Sequence, residues 1–229
     1  MLPERQMLFL FMNLAKIRVL GSSYVGLFGI TNDKLCLVPN GIDDKILKTI
    51  ETTLDVKALK TSIYESSLLA VFAKMNDKQV FLPSYATPKE IDHIEKEAKV
   101  CIIQTEHALG NMVELNDYGA IASNTLPSKE VAALKAAGLR VEQTNLAKTD
   151  AVGSTLVATN KSFLVSPNAS REEIKRIEDA LNVKGGSSTA NTGDALVRNS
   201  VMANSKGAIV GDMTTGFELN RIEEALEQR

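Results

Sequence analysis

Apolar residues along the chain recur in short runs that alternate with amphipathic segments. Runs of three consecutive, nearly all apolar residues occur at positions 36–38, 80–82, 120–122, 164–166 and 208–210. An uninterrupted apolar run of this length is typical of a strand that is covered on both faces. The pattern therefore predicts five buried strands at regular intervals along the chain.

An asparagine stands four residues before each of these runs. The five asparagines are Asn32, Asn76, Asn116, Asn160 and Asn204, and their spacings are 44, 40, 44 and 44 residues. Asn, and the Asp and Gly residues beside it, tolerate the positive φ that short hairpin turns require. Each copy is therefore predicted to be the tip of a β-hairpin in a fivefold internal repeat.

Each repeat also carries the pattern of one amphipathic helix. Capping boxes predict helix starts at residues 87–90, 170–173 and 215–218, where a Ser or Thr precedes a Glu by three positions. The helices share one apolar stripe at positions i and i+3. The stripe consists of Leu47 and Ile50, Ile91 and Ile94, Val131 and Leu134, Ile174 and Ile177, and Leu219 and Ile222.

A further short strand is predicted after the helix in four repeats, at residues 57–63, 100–104, 139–143 and 182–184. Each unit then reads strand, turn, strand, helix, strand, but the fifth unit stops at its helix. Residues 15–20 form an unassigned strand ahead of the first hairpin, and we expect it to complete the fifth repeat and close a ring.

The predicted fold class is therefore α/β, a propeller of five ββαβ repeats in a closed pseudo-fivefold ring. An all-β propeller of similar period is the rival, but it would not place a helix in every repeat. Residues 12–229 are assigned to this single domain. Residues 1–11 are expected to be an extension outside it, with Met12 as an alternative start.

Composition and charge narrow the class of partner. The 229 residues are 44% hydrophobic and 24% charged, and no apolar run approaches the roughly 20 residues that span a bilayer. Lys and Arg number 26 against 28 Asp and Glu, a net charge of −2, which does not suit binding through phosphate neutralisation. We therefore expect no membrane and no DNA partner, and only local contact with RNA.

The chain offers little for metal or disulfide chemistry. Its two cysteines, Cys36 and Cys101, both lie in apolar runs, and two histidines cannot build a Cys/His metal site. We interpret the cysteines as buried thiols of a reducing compartment and predict a cytoplasmic protein without a cofactor.

Three groups of residues combine into a specific set of motifs. They are 108–111 (Ala-Leu-Gly-Asn) with 116–118, 152–154 with 159–161, and 211–216 with 218–219 and 222–223. Together they resemble the translation initiation factor six family, the ribosome anti-association factors of archaea and eukaryotes. The resemblance runs from about Lys16 to Leu226 and implies the pentein fold, in agreement with the repeats. The chain ends at Arg229, which suggests the archaeal type, without the C-terminal tail of eukaryotic members.

The resemblance implies a function in translation initiation. The factor would bind the intersubunit face of the large ribosomal subunit, against a ribosomal protein near the sarcin-ricin loop, with local rRNA contact. It would block the small subunit by steric occlusion, as a monomer that is not an enzyme. Eukaryotic members also take part in maturation of the large subunit.

The same resemblance places Gly110 and Asn111 on the ribosome-facing side of the ring, and pseudosymmetry adds Gly26 and Gly153. Alternatively, the glycines only serve tight turns that lead into each strand. The second repeat has Leu-Leu-Ala-Val at 68–71 where the family usually shows a glycine and often a basic residue, and Met213 interrupts a further family motif. A contact by the second repeat is therefore not expected.

Two other functions fit the predicted fold. Penteins include guanidine-modifying hydrolases and amidinotransferases with a cysteine nucleophile, for which Cys101 and His107 would be the candidates here. Their nucleophile lies near the C-terminal end, whereas no cysteine follows Cys101. The other alternative is a ring scaffold for another protein partner. The segment 185–189 (Gly-Gly-Ser-Ser-Thr) lacks the lysine of a phosphate loop and is predicted to be a flexible connector.

Overall fold

A computed structural model describes residues 12–227. Among these residues the strands are β1 (Asn13–Ile17), β2 (Ile30–Thr31), β3 (Leu35–Pro39), β4 (Lys57–Thr61), β5 (Lys74–Met75), β6 (Val80–Pro83), β7 (Val100–Ile103), β8 (Val113–Leu115), β9 (Gly119–Ala122), β10 (Arg140–Gln143), β11 (Leu156–Ala158), β12 (Ser162–Val165), β13 (Lys184–Ser187), β14 (Val201–Ala203) and β15 (Gly207–Gly211).

The helices are of two kinds, one long and one short in each repeat. The long ones are α1 (Asp44–Leu54), α3 (Pro88–Glu95), α5 (Ser128–Ala136), α7 (Arg171–Leu181) and α9 (Gly216–Leu226). The short ones are a 3₁₀ turn (Val25–Leu27), α2 (Leu69–Phe72), α4 (Leu109–Met112), α6 (Val152–Thr155) and α8 (Val197–Ser200).

The strands form five three-stranded sheets, one per repeat. In each sheet the first two strands make an antiparallel hairpin, and the third strand pairs parallel with the second. The fifth sheet combines β14 and β15 with β1, which pairs in parallel from Asn13 opposite Gly207 to Ile17 opposite Gly211. The predicted closure by an N-terminal strand is confirmed. The strand lies earlier than expected, because the chain after Ile17 turns, with a bridge between Val19 and Ser22.

The five hairpins surround a common axis. The first strands β2, β5, β8, β11 and β14 contact one another in a cycle, and each long helix covers the sheet of the preceding repeat: α7 lies on β9 and β10, and α9 on β12 and β13. Five residues of the predicted stripe are completely buried, namely Ile50, Ile94, Leu134, Ile177 and Ile222. The three capping boxes are formed as predicted. The five-repeat pentein-type ring is therefore confirmed. Each part of its apolar core is formed by the sheet of one repeat and the long helix of the next.

In most hairpin tips, the side chain of the asparagine that opens the turn forms the hydrogen bonds that hold the tip. Asn32 Oδ1 accepts from the backbone N–H groups of Lys34 and Leu35 at 2.8 and 2.7 Å, and its Nδ2 donates to Asn76 O in the next tip at 2.6 Å. The same bonds within the turn recur at Asn76, Asn116 and Asn204. Hydrogen bonds therefore connect neighbouring tips to one another as well as closing each turn.

In the fourth tip, Thr159 and not Asn160 accepts the hydrogen bonds within the turn. Thr159 Oγ1 accepts from the N–H groups of Lys161 and Ser162 at 3.1 and 3.0 Å. Asn160 instead accepts from the N–H of Asp117 at 2.9 Å. The predicted repeat was therefore displaced by one residue here, because a threonine hydroxyl supplies the same acceptor as an asparagine amide. The buried apolar run is 163–165.

The glycine-rich segment after α7 is a strand and not a flexible connector. Gly185 and Gly186 lie in β13, which pairs in parallel with β12. A Cβ on Gly185 would lie 2.2 Å from Phe163 O, and one on Gly186 would lie 3.0 Å from Ala225 Cβ in α9. The missing side chains allow the strand to lie directly between its neighbour and the helix, so the prediction of a connector was wrong.

The predicted boundaries of the domain reach beyond the described part of the chain. Residues 1–11, the expected extension, lie outside the described residues, as do the last two residues of the predicted 12–229 domain. Both assignments stay predictions.

Candidate functional site

Every repeat begins with one of the five short helices, which we call the inner turns: residues 25–27, α2, α4, α6 and α8. Each inner turn contacts the next around the ring, and α8 contacts residues 25–27 to complete the cycle. The sequence pattern did not predict these turns, because four residues are too few for a helical period to show. They form one end of the ring, which we call the inner-turn face, and the hairpin tips form the other.

Three of the four predicted site residues are the glycines at the second position of an inner turn. A Cβ on Gly26 would lie 1.9 Å from Arg198 O, one on Gly110 would lie 1.9 Å from Ala70 O, and one on Gly153 would lie 2.0 Å from Gly110 O. All three glycines are buried. Their absent side chains let neighbouring turns pack backbone against backbone, so they shape the face from beneath.

Asn111, the fourth predicted residue, lies in α4 and is half-buried. Its Oδ1 accepts from Ser154 Oγ of α6 at 3.3 Å. Within the described part of the chain, no hydrogen bond uses its Nδ2 group. The structure therefore brings Gly110, Asn111 and Gly153 together, and the Nδ2 group of Asn111 has no hydrogen-bond partner among the described residues.

A charged cluster lies inside the ring beneath the inner turns. It consists of Lys74, Glu114 and Arg198, each less than 10% exposed. Lys74 forms an ion pair with Glu114, and the Arg198 guanidinium donates to the carbonyls of Gly26 and Gly29. Burial lowers the pKa of Lys74 to about 8, although the neighbouring Glu114 carboxylate opposes this shift. These two cations and one anion line a cavity of about 20 Å³.

Buried glutamates at the starts of two long helices hold the loops that lead to the inner turns. Glu90 accepts from the N–H groups of Tyr64 and Glu65 at 3.0 and 2.9 Å, and Glu218 accepts from those of Thr192 and Gly193 at 3.2 and 2.8 Å. The four residues that donate these N–H groups have positive φ, which shows that each of the two loops is a tight turn.

Burial alone would raise the pKa of the Glu218 carboxyl, but the hydrogen bonds that this carboxylate accepts have a larger effect in the opposite direction. These bonds come from the backbone of Thr215 and Gly193 and from the Thr189 hydroxyl, and they lower the pKa to about 2. The pKa of Glu90 is lowered for the same reason: burial is opposed by the Ser62 hydroxyl and by backbone donors. Both glutamates therefore act as ionised anchors between neighbouring repeats.

The cysteine and histidine that would serve a pentein enzyme do not bond to each other. The His107 side chain lies 3.1 Å from Glu130 Oε1 and 3.4 Å from Thr105 Oγ1. Cys101 is half-buried in β7 rather than fully buried as expected, and burial raises its pKa. Cys36 is completely buried, and its pKa is raised to about 12. Raised pKa values are unfavourable for a thiolate nucleophile.

Neither a metal cluster nor a membrane-spanning helix occurs in the described residues. No group of three His, Cys, Asp or Glu side chains in residues 12–227 is arranged to hold a metal ion. No helix in the same range has both the length and the apolar character to cross a bilayer.

The model of the eIF-6 family matches residues 14–225, which include strands from all five sheets. The chain belongs to the eIF-6 family. Translation initiation factor 6 of Pyrococcus horikoshii is 34% identical over 224 residues, covering 94% of this chain and 99% of that protein. The homologue from Haloquadratum walsbyi is 34% identical over 210 residues, with 90% and 93% coverage. That from Sulfolobus acidocaldarius is 32% identical over 221 residues, with 93% and 99% coverage.

Membership in the eIF-6 family makes the chain a translation initiation factor and confirms the resemblance seen in its sequence. Solved structures with a similar fold include DDAH from Pseudomonas aeruginosa in complex with citrulline, with a TM-score of 0.46, 10% identity, and coverage of 91% of this chain and 75% of that chain. A dimethylarginine dimethylaminohydrolase with S-methyl-L-thiocitrulline has a TM-score of 0.45, 12% identity, and coverage of 90% and 74%.

Proposed function

We propose that this factor binds the large ribosomal subunit at its intersubunit face and sterically prevents association with the small subunit. The observation that carries the proposal is the family match, which extends over all five repeats, so that the ring is retained as a whole. The proposed partner is a ribosomal protein near the sarcin-ricin loop, with local rRNA contact.

The inner-turn face supports this proposal by its construction. Its turns contact one another around the ring, and at Gly26, Gly110 and Gly153 they pack backbone against backbone, so the face is held rigidly and little ordering entropy is lost on binding. Asn111 lies in this face, and the bond from Ser154 engages its Oδ1 and leaves its Nδ2 donor unused by the described residues. We assign the direct contact to Asn111, and to Gly26, Gly110 and Gly153 the indirect role of bringing the turns close enough to form the face.

The proposed mechanism is occlusion and contains no chemical step or cofactor. A monomeric ring bound at the subunit interface would occupy the space that the small subunit needs. The proposal places the protein in the cytoplasm and includes a role in maturation of the large subunit.

Co-sedimentation tests this function directly. The protein should migrate with purified large subunits in a sucrose gradient and reduce their joining to added small subunits. Asn111→Ala should weaken both effects, whereas the control Asn220→Ala, an exposed position of α9, should leave both unchanged. Failure of the wild-type protein to bind, or binding without any effect on joining, would falsify the proposal.

A further inference from the structure

Three aromatic side chains, Tyr64, Phe72 and Tyr85, form a cluster at the boundary of the first and second repeats. The Tyr64 ring lies edge-to-face with the other two, at centroid distances of 6.1 Å to Phe72 and 5.0 Å to Tyr85. Phe72 and Tyr85 are half-buried, while Tyr64 is 57% exposed. The cluster therefore presents one aromatic ring to solvent on a supporting base of two others.

The backbone beneath Tyr64 is held in an unfavourable conformation. Tyr64 and Glu65 have φ of 56° and 57°, a region that costs a non-glycine residue about 1–2 kcal/mol. The buried Glu90 carboxylate accepts from both N–H groups and from Ser62 Oγ, which maintains the turn. The turn is thus anchored from below with its aromatic side chain outward. The same positive-φ pair recurs at Ala147 and Lys148 and at Thr192 and Gly193, so the turn belongs to the repeat, and the exposed aromatic ring is what distinguishes this copy.

The aromatic cluster is continuous with the inner-turn face. Phe72 is the last residue of α2, and α2 packs on α4, which contains Asn111. Tyr85 donates its hydroxyl to the carbonyl of His107 at 2.7 Å, just before α4 begins. A partner seated on Asn111 is therefore close to the cluster as well.

The residues that flank the cluster's contacts along the chain include two acidic ones. Glu65 follows Tyr64 directly, and Glu106 precedes His107, whose carbonyl holds Tyr85; both carboxylates are exposed. Two carboxylates beside the cluster repel a phosphate backbone, whereas they and the face of a tyrosine ring attract a cation. This combination suits an arginine or lysine side chain with its apolar stem.

We propose that the aromatic cluster, with Glu65 and Glu106, receives a basic side chain presented by a protein segment of the large ribosomal subunit. This inference rests on the proposed function and adds to it a contact made by the second repeat. Such a contact was not expected from the sequence, because residues 68–71 depart from the family pattern and the three aromatic residues are far apart along the chain.

Binding of the purified factor to purified large subunits tests the inference. Tyr64→Ala should weaken binding about tenfold, and Tyr64→Phe, which keeps the ring, should bind within about twofold of wild type. The double variant Glu65→Gln with Glu106→Gln should weaken binding about threefold. The matched control is Tyr118→Ala, since Tyr118 is 50% exposed at the opposite, hairpin-tip end and should not affect binding. Thermal melting of each variant shows that the ring is intact.

The outcomes separate the inference from the function beneath it. If Tyr64→Ala binds as wild type while Asn111→Ala is weakened, the cluster is not a contact and the proposed function stands. If neutralising the two glutamates strengthens binding, a nucleic-acid backbone occupies the cluster and the inference is wrong. If the wild-type factor does not bind large subunits at all, both are overturned.

Discussion

Ser154 Oγ donates to Asn111 Oδ1 across the boundary between the third and fourth repeats, at 3.3 Å. Ser154 lies in α6 and is only 7% exposed, so its hydroxyl fixes the amide from the buried side. The bond engages the Oδ1 end of the Asn111 amide, so that Nδ2 is the end left for a partner. Ser154 is therefore a positioning residue for the proposed contact.

A double-mutant cycle tests this role. Ser154→Ala should weaken binding to large subunits about threefold, less than Asn111→Ala, because the amide can then rotate. In the Asn111→Ala background the same change should add nothing to the loss. Ser128→Ala, at an exposed position of α5, is the control. Additive losses from the two substitutions would show that Ser154 does not act through Asn111.

Gly153→Ala should destabilise the ring rather than change only its surface. The added Cβ would lie 2.0 Å from Gly110 O and 2.6 Å from Val113 O, and neither backbone carbonyl can move freely. We expect a loss of about 3 kcal/mol or more in the free energy of unfolding, measured by urea denaturation.

Gly216→Ala provides the matched control for this substitution. Gly216 lies at the start of α9, and no atom lies within 4 Å of the place that an alanine methyl group would take. Alanine there should be neutral or stabilise the fold by up to about 1 kcal/mol. Equal stability of Gly153→Ala and wild type would contradict the packing described for the inner turns.

Stability at low pH should depend on Glu218. Its pKa in the folded state is about 2, below the ordinary value of 4.5, so the unfolded chain binds the proton more tightly. The stabilisation by this carboxylate is fully present above pH of about 4.5 and is lost as the pH falls toward 2.

Glu218→Gln should lower the free energy of unfolding at pH 7 by about 1–3 kcal/mol and reduce its decline between pH 4.5 and 2. Urea denaturation at several pH values measures both effects. Glu172→Gln, which changes an exposed carboxyl of α7, serves as the control and should leave the profile unchanged. An unaltered acid profile in Glu218→Gln would contradict the anchoring role.

The buried cluster should respond unequally to loss of its anion and loss of one cation. Glu114→Gln leaves Lys74 and Arg198 without a counter-charge, and we expect a loss of about 3–5 kcal/mol. Lys74→Met leaves Glu114 with Arg198 in an apolar setting and should cost less than about 2 kcal/mol. Chemical denaturation measures the free energy of unfolding of the two variants. Equal losses of this free energy would contradict the description of Glu114 as the counter-charge of both Lys74 and Arg198.

The same cluster predicts a rise of stability with pH. Burial lowers the pKa of Lys74 to about 8 in the folded state, below its ordinary value of 10.5, so the unfolded chain binds more protons between these values. The free energy of unfolding should therefore increase from pH 8 to 10 through this group. In Lys74→Met this contribution should be absent, and a profile identical to that of wild type would be evidence against it.

Periodic features of the fold could be predicted from the sequence because each repeat had to satisfy the same packing. The buried runs, the i and i+3 stripe and the closing strand all depend on patterns that recur five times. The exception at Thr159 shows where such patterns fail: the turn requires an oxygen acceptor at a given position, and two different side chains supply it.

The inner-turn face could be predicted only in part. Asn111 and the three glycines were identified through family resemblance, but the reason for the glycines, close approach of a neighbouring backbone, depends on contacts between repeats. The aromatic cluster depends on the same kind of contact, since Tyr64, Phe72 and Tyr85 meet only when the loop, α2 and the segment before α3 are in place. Such contacts leave no periodic signal along one chain.

The pairing of β1 with β15 has a consequence for the order of assembly. Of the fifteen described strands β1 is synthesised first and its partner β15 last, so the fifth sheet can form only after the strands of the other four sheets have been made. An open array of repeats could add units one after another and fray from either end. Here the first and last strands of the fold pair with each other, so that neither end of the array is left free to fray. The five repeats are therefore expected to unfold as one cooperative unit only after this last pairing has formed.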